Sequence, residues 1–329
     1  MKSTPKALHP LATAALLATL ALGAQAQSSV NVYGLMDLSV GSTKAPGGPA
    51  TTAVDSGKMT TSYYGFGGRE DLGGGLAATF RIEGFLRATS GDAGRFTGDP
   101  QFSRTASVGL SSARLGSLTL GRNTTALFVS TLGFNAFGDS FGYSPSIRHY
   151  FTSGTTTGDS GWSESIGYAS PTWGGFKAGA MVTSKTGNGG NWSVNLGYGA
   201  GPLAVSLVHQ QVKKDGTTPT QDTDTTQLGA SYDFGVAKAF LQLGQVDNDT
   251  TGNDYTISGV GARVPLGAGA VIAQYGQIAP QTGADRHTLS VGYLHNLSKR
   301  TELYAVAMHD KIDGLSSGGG YSLGIRHRF

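Results

Sequence analysis

The chain contains no cysteine, which removes a disulfide framework, thiolate catalysis and any cysteine-based metal site. It has no long hydrophobic run: beyond residue 26 no apolar stretch approaches the roughly 20 residues that a membrane-crossing helix needs. Strong charge of either sign is also missing. Lysine and arginine number 24 against 21 aspartate and glutamate, so net charge gives no argument for a polyelectrolyte partner, and no basic stripe points to nucleic acid. The histidines His149, His209, His287, His295, His309 and His327 are scattered without a nucleophile elbow or metal-ligand spacing. That leaves a hydrolase with a Ser-His or Asp-His site unsupported, and no metal or other cofactor is implied.

At the N-terminus Lys2 and Lys6 precede an apolar stretch from Leu11 to Leu22 and then Ala24-Gln25-Ala26. This is the order of a cleaved export signal, too short in its apolar part to span a bilayer. The expected division is therefore a signal peptide over residues 1–26 and a mature domain over residues 27–329. Losing Lys2 and Lys6 with the signal leaves the mature charge close to neutral.

An exported chain without spanning helices either dissolves or closes into a β-barrel, the two solutions that satisfy its backbone. Glycine stands at 52 of 329 residues, far above the usual level of about 7%. It follows no collagen period and is accompanied by 13 tyrosines and 14 phenylalanines, the texture of many strands joined by turns. The last nine residues alternate, with Tyr321, Leu323, Ile325, His327 and Phe329 on one face and Ser322, Gly324, Arg326 and Arg328 on the other. The first mature strand repeats this, with Val30, Val32, Gly34, Met36, Leu38 and Val40 opposed to Asn31, Tyr33, Leu35, Asp37 and Ser39.

Alternation also suits a soluble sandwich, so punctuation has to decide. Seven tight turns stand near residues 70–75, 114–117, 171–175, 200–202, 233–236, 265–269 and 297–300. Eight longer polar loops are expected at 41–57, 89–99, 124–160, 185–190, 213–223, 249–253, 279–285 and 311–318. Eight loops and seven turns connect 16 antiparallel strands with both termini on the turn side, the asymmetry of transmembrane barrels. Tyr168, Trp173, Phe176, Tyr198, Tyr232, Phe234, Tyr293 and Phe329, near strand ends, read as interfacial girdles. All loops but the third are short and polar, which argues against an adhesin or receptor barrel.

Several segments then carry a resemblance: SSVNVYG at 28–34, EDLGGGL at 70–76, FSRTASVGL at 102–110, LTLGR at 118–122, YDFGVA at 232–237, LSKRT at 297–301 and GIRHRF at 324–329. In this order and spacing the mature sequence resembles the porins of β-proteobacteria over essentially its whole length. The resemblance implies an all-β, 16-stranded trimeric transmembrane barrel of the outer membrane. Its third loop would fold inward to narrow a water-filled channel for ions and small hydrophilic solutes. Implied partners are a homotrimer, outer-membrane lipid and lipopolysaccharide, and the barrel-assembly machinery, which would read the terminal Phe329.

Candidate pore residues follow from parity and from the resemblance together. In the third strand Thr79, Arg81 and Glu83 share a face opposite Phe80 and Ile82, so Arg81 and Glu83 are expected to meet water. Within the resemblance, Arg104 occupies a lumen arginine position, and Phe137-Gly138-Asp139 matches a loop-tip motif that places a carboxylate at the constriction. Arg122 occupies a position that more often latches a neighbouring loop or subunit. Two departures thin the family's cationic wall. SYYG at 62–65 puts Tyr63 where members carry arginine, and ESIGY at 164–168 puts Gly167 where another cation is usual. Arg148 in the third loop could restore part of the charge, and anion preference is expected to be weak at most. An alternative is a substrate-preferring channel using the third-loop aromatics Phe128, Phe134, Phe137, Phe141, Tyr143, Tyr150 and Phe151 as a stacking surface.

Overall fold

In the computed structural model the described residues are 29–152, 157–184, 190–213 and 222–329. The expected signal peptide lies outside them, as do most of the expected loops at 185–190 and 213–223. The strands are β1 (Ser29–Lys44), β2 (Ala50–Ser56), β3 (Tyr63–Gly73), β4 (Leu76–Arg87), β5 (Asp92–Ala93), β6 (Thr105–Ser112), β7 (Gly116–Thr124), β8 (Gly161–Ala169), β9 (Phe176–Thr183), β10 (Trp192–Ala200), β11 (Leu203–Val212), β12 (Thr223–Asp233), β13 (Lys238–Asn248), β14 (Tyr255–Leu266), β15 (Gly269–Pro280), β16 (Arg286–Asn296), β17 (Thr301–Ile312) and β18 (Gly318–Arg328). Two short helices, α1 (Ala126–Gly133) and α2 (Pro145–Phe151), lie between β7 and β8.

All ladders are antiparallel, and β18 pairs back onto β1 from Leu35↔Arg328 to Lys44↔Gly319. Sixteen strands form this closed ring, while β2 and β5 belong to loops. Closure leaves no strand edge for lipid to meet, which a sheet in a bilayer requires. The terminal residue completes it: Phe329 N donates to Gly34 O at 3.1 Å and Gly34 N to Phe329 O at 3.2 Å.

Each ring strand turns its apolar parity outward. Val30 and Val32 are 67% and 65% exposed, whereas Leu35, Asp37 and Ser39 of the other parity are buried. In a soluble sandwich the burial would be reversed. Tyr168, Trp173, Phe176, Tyr232, Phe234 and Phe329 are exposed near the turn-side ends of their strands, where an aromatic girdle belongs.

The loop expected at 41–57 is largely a continuation of the sheet. Leu38–Lys44, which closes the ring against β18 on one edge, pairs with Ala50–Ser56 on the other, because the alternating threonine, alanine and valine of β2 suit a ladder that satisfies their backbone groups. At the opposite end the turn between β3 and β4 is shaped by Gly73, Gly74 and Gly75, all with φ between 61° and 82°, a conformation open chiefly to glycine.

Candidate pore constriction

The segment from 125 to 160 joins two adjacent strands yet bonds to strands on the far side of the ring. It can reach them only through the interior, so it crosses the lumen. Both helices start on side-chain caps, with Thr125 Oγ1 accepting from Phe128 N at 3.3 Å and Ser144 Oγ accepting from Ile147 N at 3.2 Å. Pro145 adds a fixed φ at the start of α2.

A row of inward glutamines seats it. Gln227 Nε2 donates to Thr131 Oγ1 at 2.8 Å, Gln242 Nε2 to Thr131 O at 2.7 Å, and Gln274 Nε2 to Ser146 Oγ at 2.6 Å. Gln210 Nε2 donates to Thr157 O at 2.8 Å. Between these rungs the wall is glycine where the segment comes closest: a Cβ at Gly244 would fall 1.8 Å from Tyr150 Oη, and one at Gly229 would fall 2.6 Å from the Phe134 ring. Further along, Ser290 Oγ donates to Tyr143 O at 2.6 Å, the Tyr143 hydroxyl meets Ser322 Oγ, and His149 Nε2 lies 3.0 Å from Thr288 Oγ1. Burial, with help from the Arg286 and Arg148 charges, pushes the His149 imidazole down to about 3, so it is neutral in its seat.

Two lumen cavities flank this segment. One of 940 Å³ is bounded by the turn-side halves of β3, β4, β7 to β9 and neighbouring strands, with α1 on its inner side; the other, of 450 Å³, lies at the loop tip. Among the candidate pore residues Glu83 is the hub. Its Oε2 lies 3.1 Å from Arg104 Nε, its Oε1 lies 3.8 Å from Arg81 Nε, and Tyr33 donates its hydroxyl to Oε1 at 2.7 Å. The Arg104 guanidinium stands 4.1 Å from the centre of the Tyr63 ring, so the phenol at the departed arginine position supports a cation supplied from just before β6, across β4. Asp139 is held at the smaller cavity by Thr60, whose Oγ1 donates to Asp139 Oδ1 at 2.9 Å and accepts from Arg326 Nη1 at 2.9 Å. Thr60 is itself pinned, since its backbone N–H and that of Met59 each donate to Asp37 Oδ2 at 2.7 Å.

Phe137 borders the smaller cavity beside Asp139, but it is only 3% exposed and packs with Met59, Tyr143, Leu294 and Tyr304. Arg148 borders neither cavity and is engaged by Asp310, Nη2 to Oδ2 at 2.9 Å, beside Arg286. The third-loop rings are largely committed to packing: Tyr143 and Tyr150 are fully buried, and Phe128 stacks on Phe141 at 5.9 Å and meets Phe151 edge-on at 5.2 Å. Arg122 bonds Asp159 near the end of the inserted segment and the Ser103 carbonyl. Asp159 also receives Arg95 Nη1 at 3.1 Å, which ties the loop after β4 to the same point. Burial alone would raise the Asp99 carboxyl, but the paired Arg95 guanidinium holds it below its ordinary value.

A closed ring of this size, crossed by an anchored segment and lined by charge, is matched by the family model for Gram-negative porins over residues 12–315. The chain belongs to that family. This porin is 34% identical to outer membrane porin protein 32 of Delftia acidovorans, over 93% of this chain and 95% of the relative. An outer membrane porin protein of Bordetella pertussis is 29% identical over 97% of this chain and 99% of the relative. Among solved structures, an anion-selective porin from Comamonas acidovorans superposes with a TM-score of 0.80 at 29% identity, covering 92% of this chain and 100% of the other. The porin forms a diffusion channel in the outer membrane and is not an enzyme.

Its lumen carries cations that the motif comparison passed over. Arg69 and Lys177, with Arg81, border the larger cavity; Arg263 and Arg328 border the smaller, and Lys238 borders both. Each has inward parity and lies toward the turn side of its strand. Parity already puts Arg328 and Arg81 on polar faces, and extending the same argument to every strand would have found the others. Tyr33 and Thr60 carried no comparable signal, because their roles depend on partners 50 and 79 residues away.

Proposed function

We propose that this porin passes small hydrophilic solutes and ions with a modest preference for anions, set by turn-side cations rather than by its constriction. The observation that carries this reading is the contrast between the two charge sets. Arg81 and Arg104 are paired with Glu83, and Asp139 is held by Thr60, whereas Arg69, Lys177, Lys238, Arg263 and Arg328 line the lumen outside any ion pair among the described residues. A low-dielectric wall focuses the field of those cations into the pore. Their spacing around a wide mouth limits the effect, because a charge farther than about 8 Å from a passing ion is largely screened at physiological salt. The likeness to an anion-selective porin supports the sign.

In the same reading the molecule assembles as a homotrimer among lipid and lipopolysaccharide, and Phe329 at the closing ladder is the residue met by the barrel-assembly machinery. The zero-current potential of reconstituted channels in a KCl gradient tests the selectivity. A modest anion-directed potential that falls when Lys177 and Arg69 are both replaced by glutamine is expected; a cation-directed potential overturns the proposal.

A further inference from the structure

Of the tight turns that close the periplasmic end of the barrel, one stands apart in charge. The turn at 297–300 puts Lys299 beside Arg300, whereas none of the others holds more than one cation, and those at 70–75 and 233–236 carry carboxylates instead. Both side chains are exposed, and neither belongs to an ion pair among the described residues. The acidic residue nearest in sequence, Glu302, has inward parity and is taken by Arg326.

This turn leads directly into β17, and the outer face on each side of that strand carries an imidazole. Thr301 is opposed by His327 of β18, and Leu303 by His295 of β16. Each ring has one nitrogen engaged: His327 Nδ1 lies 2.9 Å from Thr301 Oγ1, and His295 Nδ1 lies 3.3 Å from Tyr293 Oη. Nε2 of both rings has no protein partner among the described residues. The same outward parity continues away from the turn as Leu303, Ile325 and Leu323, which are 40%, 42% and 62% exposed. An apolar strip of the outer wall therefore begins where these polar groups end.

We infer that this face binds an anionic diacyl phospholipid of the periplasmic leaflet. Lys299 and Arg300 hold its phosphate, Nε2 of His327 and His295 meets the headgroup oxygens, and the acyl chains lie along Leu303, Ile325 and Leu323. Two cations without a carboxylate call for an anion, and charge-assisted bonds to phosphate are the strong kind. The apolar strip beside them selects an anion that carries acyl chains over a free phosphate. The inference rests on the reading that lipid surrounds the barrel and goes further, because it names one face of the wall and the charge of the headgroup it takes.

Native mass spectrometry of the intact porin, released from neutral detergent with equal amounts of phosphatidylglycerol and phosphatidylethanolamine, tests it. Phosphatidylglycerol is expected to be the lipid retained. Joint replacement by Lys299→Gln and Arg300→Gln should lower its retention about 25-fold, at about fivefold for each cation beside a lipid surface. Arg300→Lys, which keeps the charge, should preserve it, and so should Arg114→Gln at another turn. His327→Phe keeps a ring at this edge and should lower retention about fivefold, by loss of one hydrogen bond. Glycerol phosphate, the headgroup without acyl chains, should not displace the lipid at equal concentration. Equal retention of the two lipids, retention unchanged in the double glutamine variant, an equal loss in Arg114→Gln, or displacement by glycerol phosphate overturns the inference. Regular conductance steps in a neutral bilayer show that each variant has folded and entered lipid, so a barrel that fails to sit in lipid is distinguishable from one that sits there without this preference.

Discussion

Acid should loosen the segment that crosses the lumen, and His149 is the group through which it does so. In its seat the imidazole is buried beside Arg148 and Arg286 and titrates at about 3 instead of 6.5. When α2 leaves the wall, the ring reaches water and regains its ordinary affinity for protons. The released state therefore binds more protons than the seated state between about pH 6.5 and 3, and seating weakens as pH falls through that window. Between pH 7 and pH 4 the loss amounts to about 3 kcal/mol, at 1.36 kcal/mol per pKa unit. Bilayer recordings should show more frequent closures and noisier open states at pH 4 than at pH 7, and the segment should become cleavable by an acid-active protease. His149→Gln stays neutral at both pH values and keeps a polar atom toward Thr288. Its channels should lose most of the difference between the two conditions. An equal acid response in wild-type and His149→Gln channels would refute the reasoning and shift the cause to the carboxylates.

Three further perturbations address the constriction and its supports. Glu83→Gln removes the carboxylate that Arg104, Arg81 and Tyr33 share, so the anion-to-cation permeability ratio from zero-current potentials should rise about threefold; an unchanged ratio means the guanidiniums were already screened. Thr60→Val releases Asp139 into the lumen and should lower anion preference, with a stability loss of about 1–2 kcal/mol in urea unfolding for the two bonds lost. Thr60→Ser should restore both properties, and in an Asp139→Asn background Thr60→Val should leave selectivity unaltered; an equal shift there contradicts the proposed route. Gly244→Val drives a side chain into Tyr150 and should destabilise the seat by about 1–3 kcal/mol, seen as open-channel noise. The same change at Gly199, where an added Cβ meets nothing within 4 Å, is the silent control.

Much of the architecture was legible in the sequence because a barrel strand has a period of two and one wet side. Val30 and Val32 against Asn31 and Tyr33 already separate lipid from lumen, and the spacing of Gly73–Gly75 and its counterparts counts the strands. What alternation leaves open is register, and register decides which charges meet. Glu83 binds Arg104 because β4 and β6 align Glu83 with Thr105, and Lys238 confronts Arg263 for the same kind of reason. The sequence gives each of these residues a face but no partner. The path of a segment through space is likewise absent from local pattern. Phe137 and Arg148 read alike as pore residues in a polar loop, yet one borders a lumen cavity from within an apolar cluster and the other is engaged by Asp310, because glutamine rungs and glycine hollows on distant strands determine where the segment settles. Local alternation depends on each residue's own contact with lipid or water and survives in one dimension; pairing across the lumen is a property of the closed ring and exists only in three.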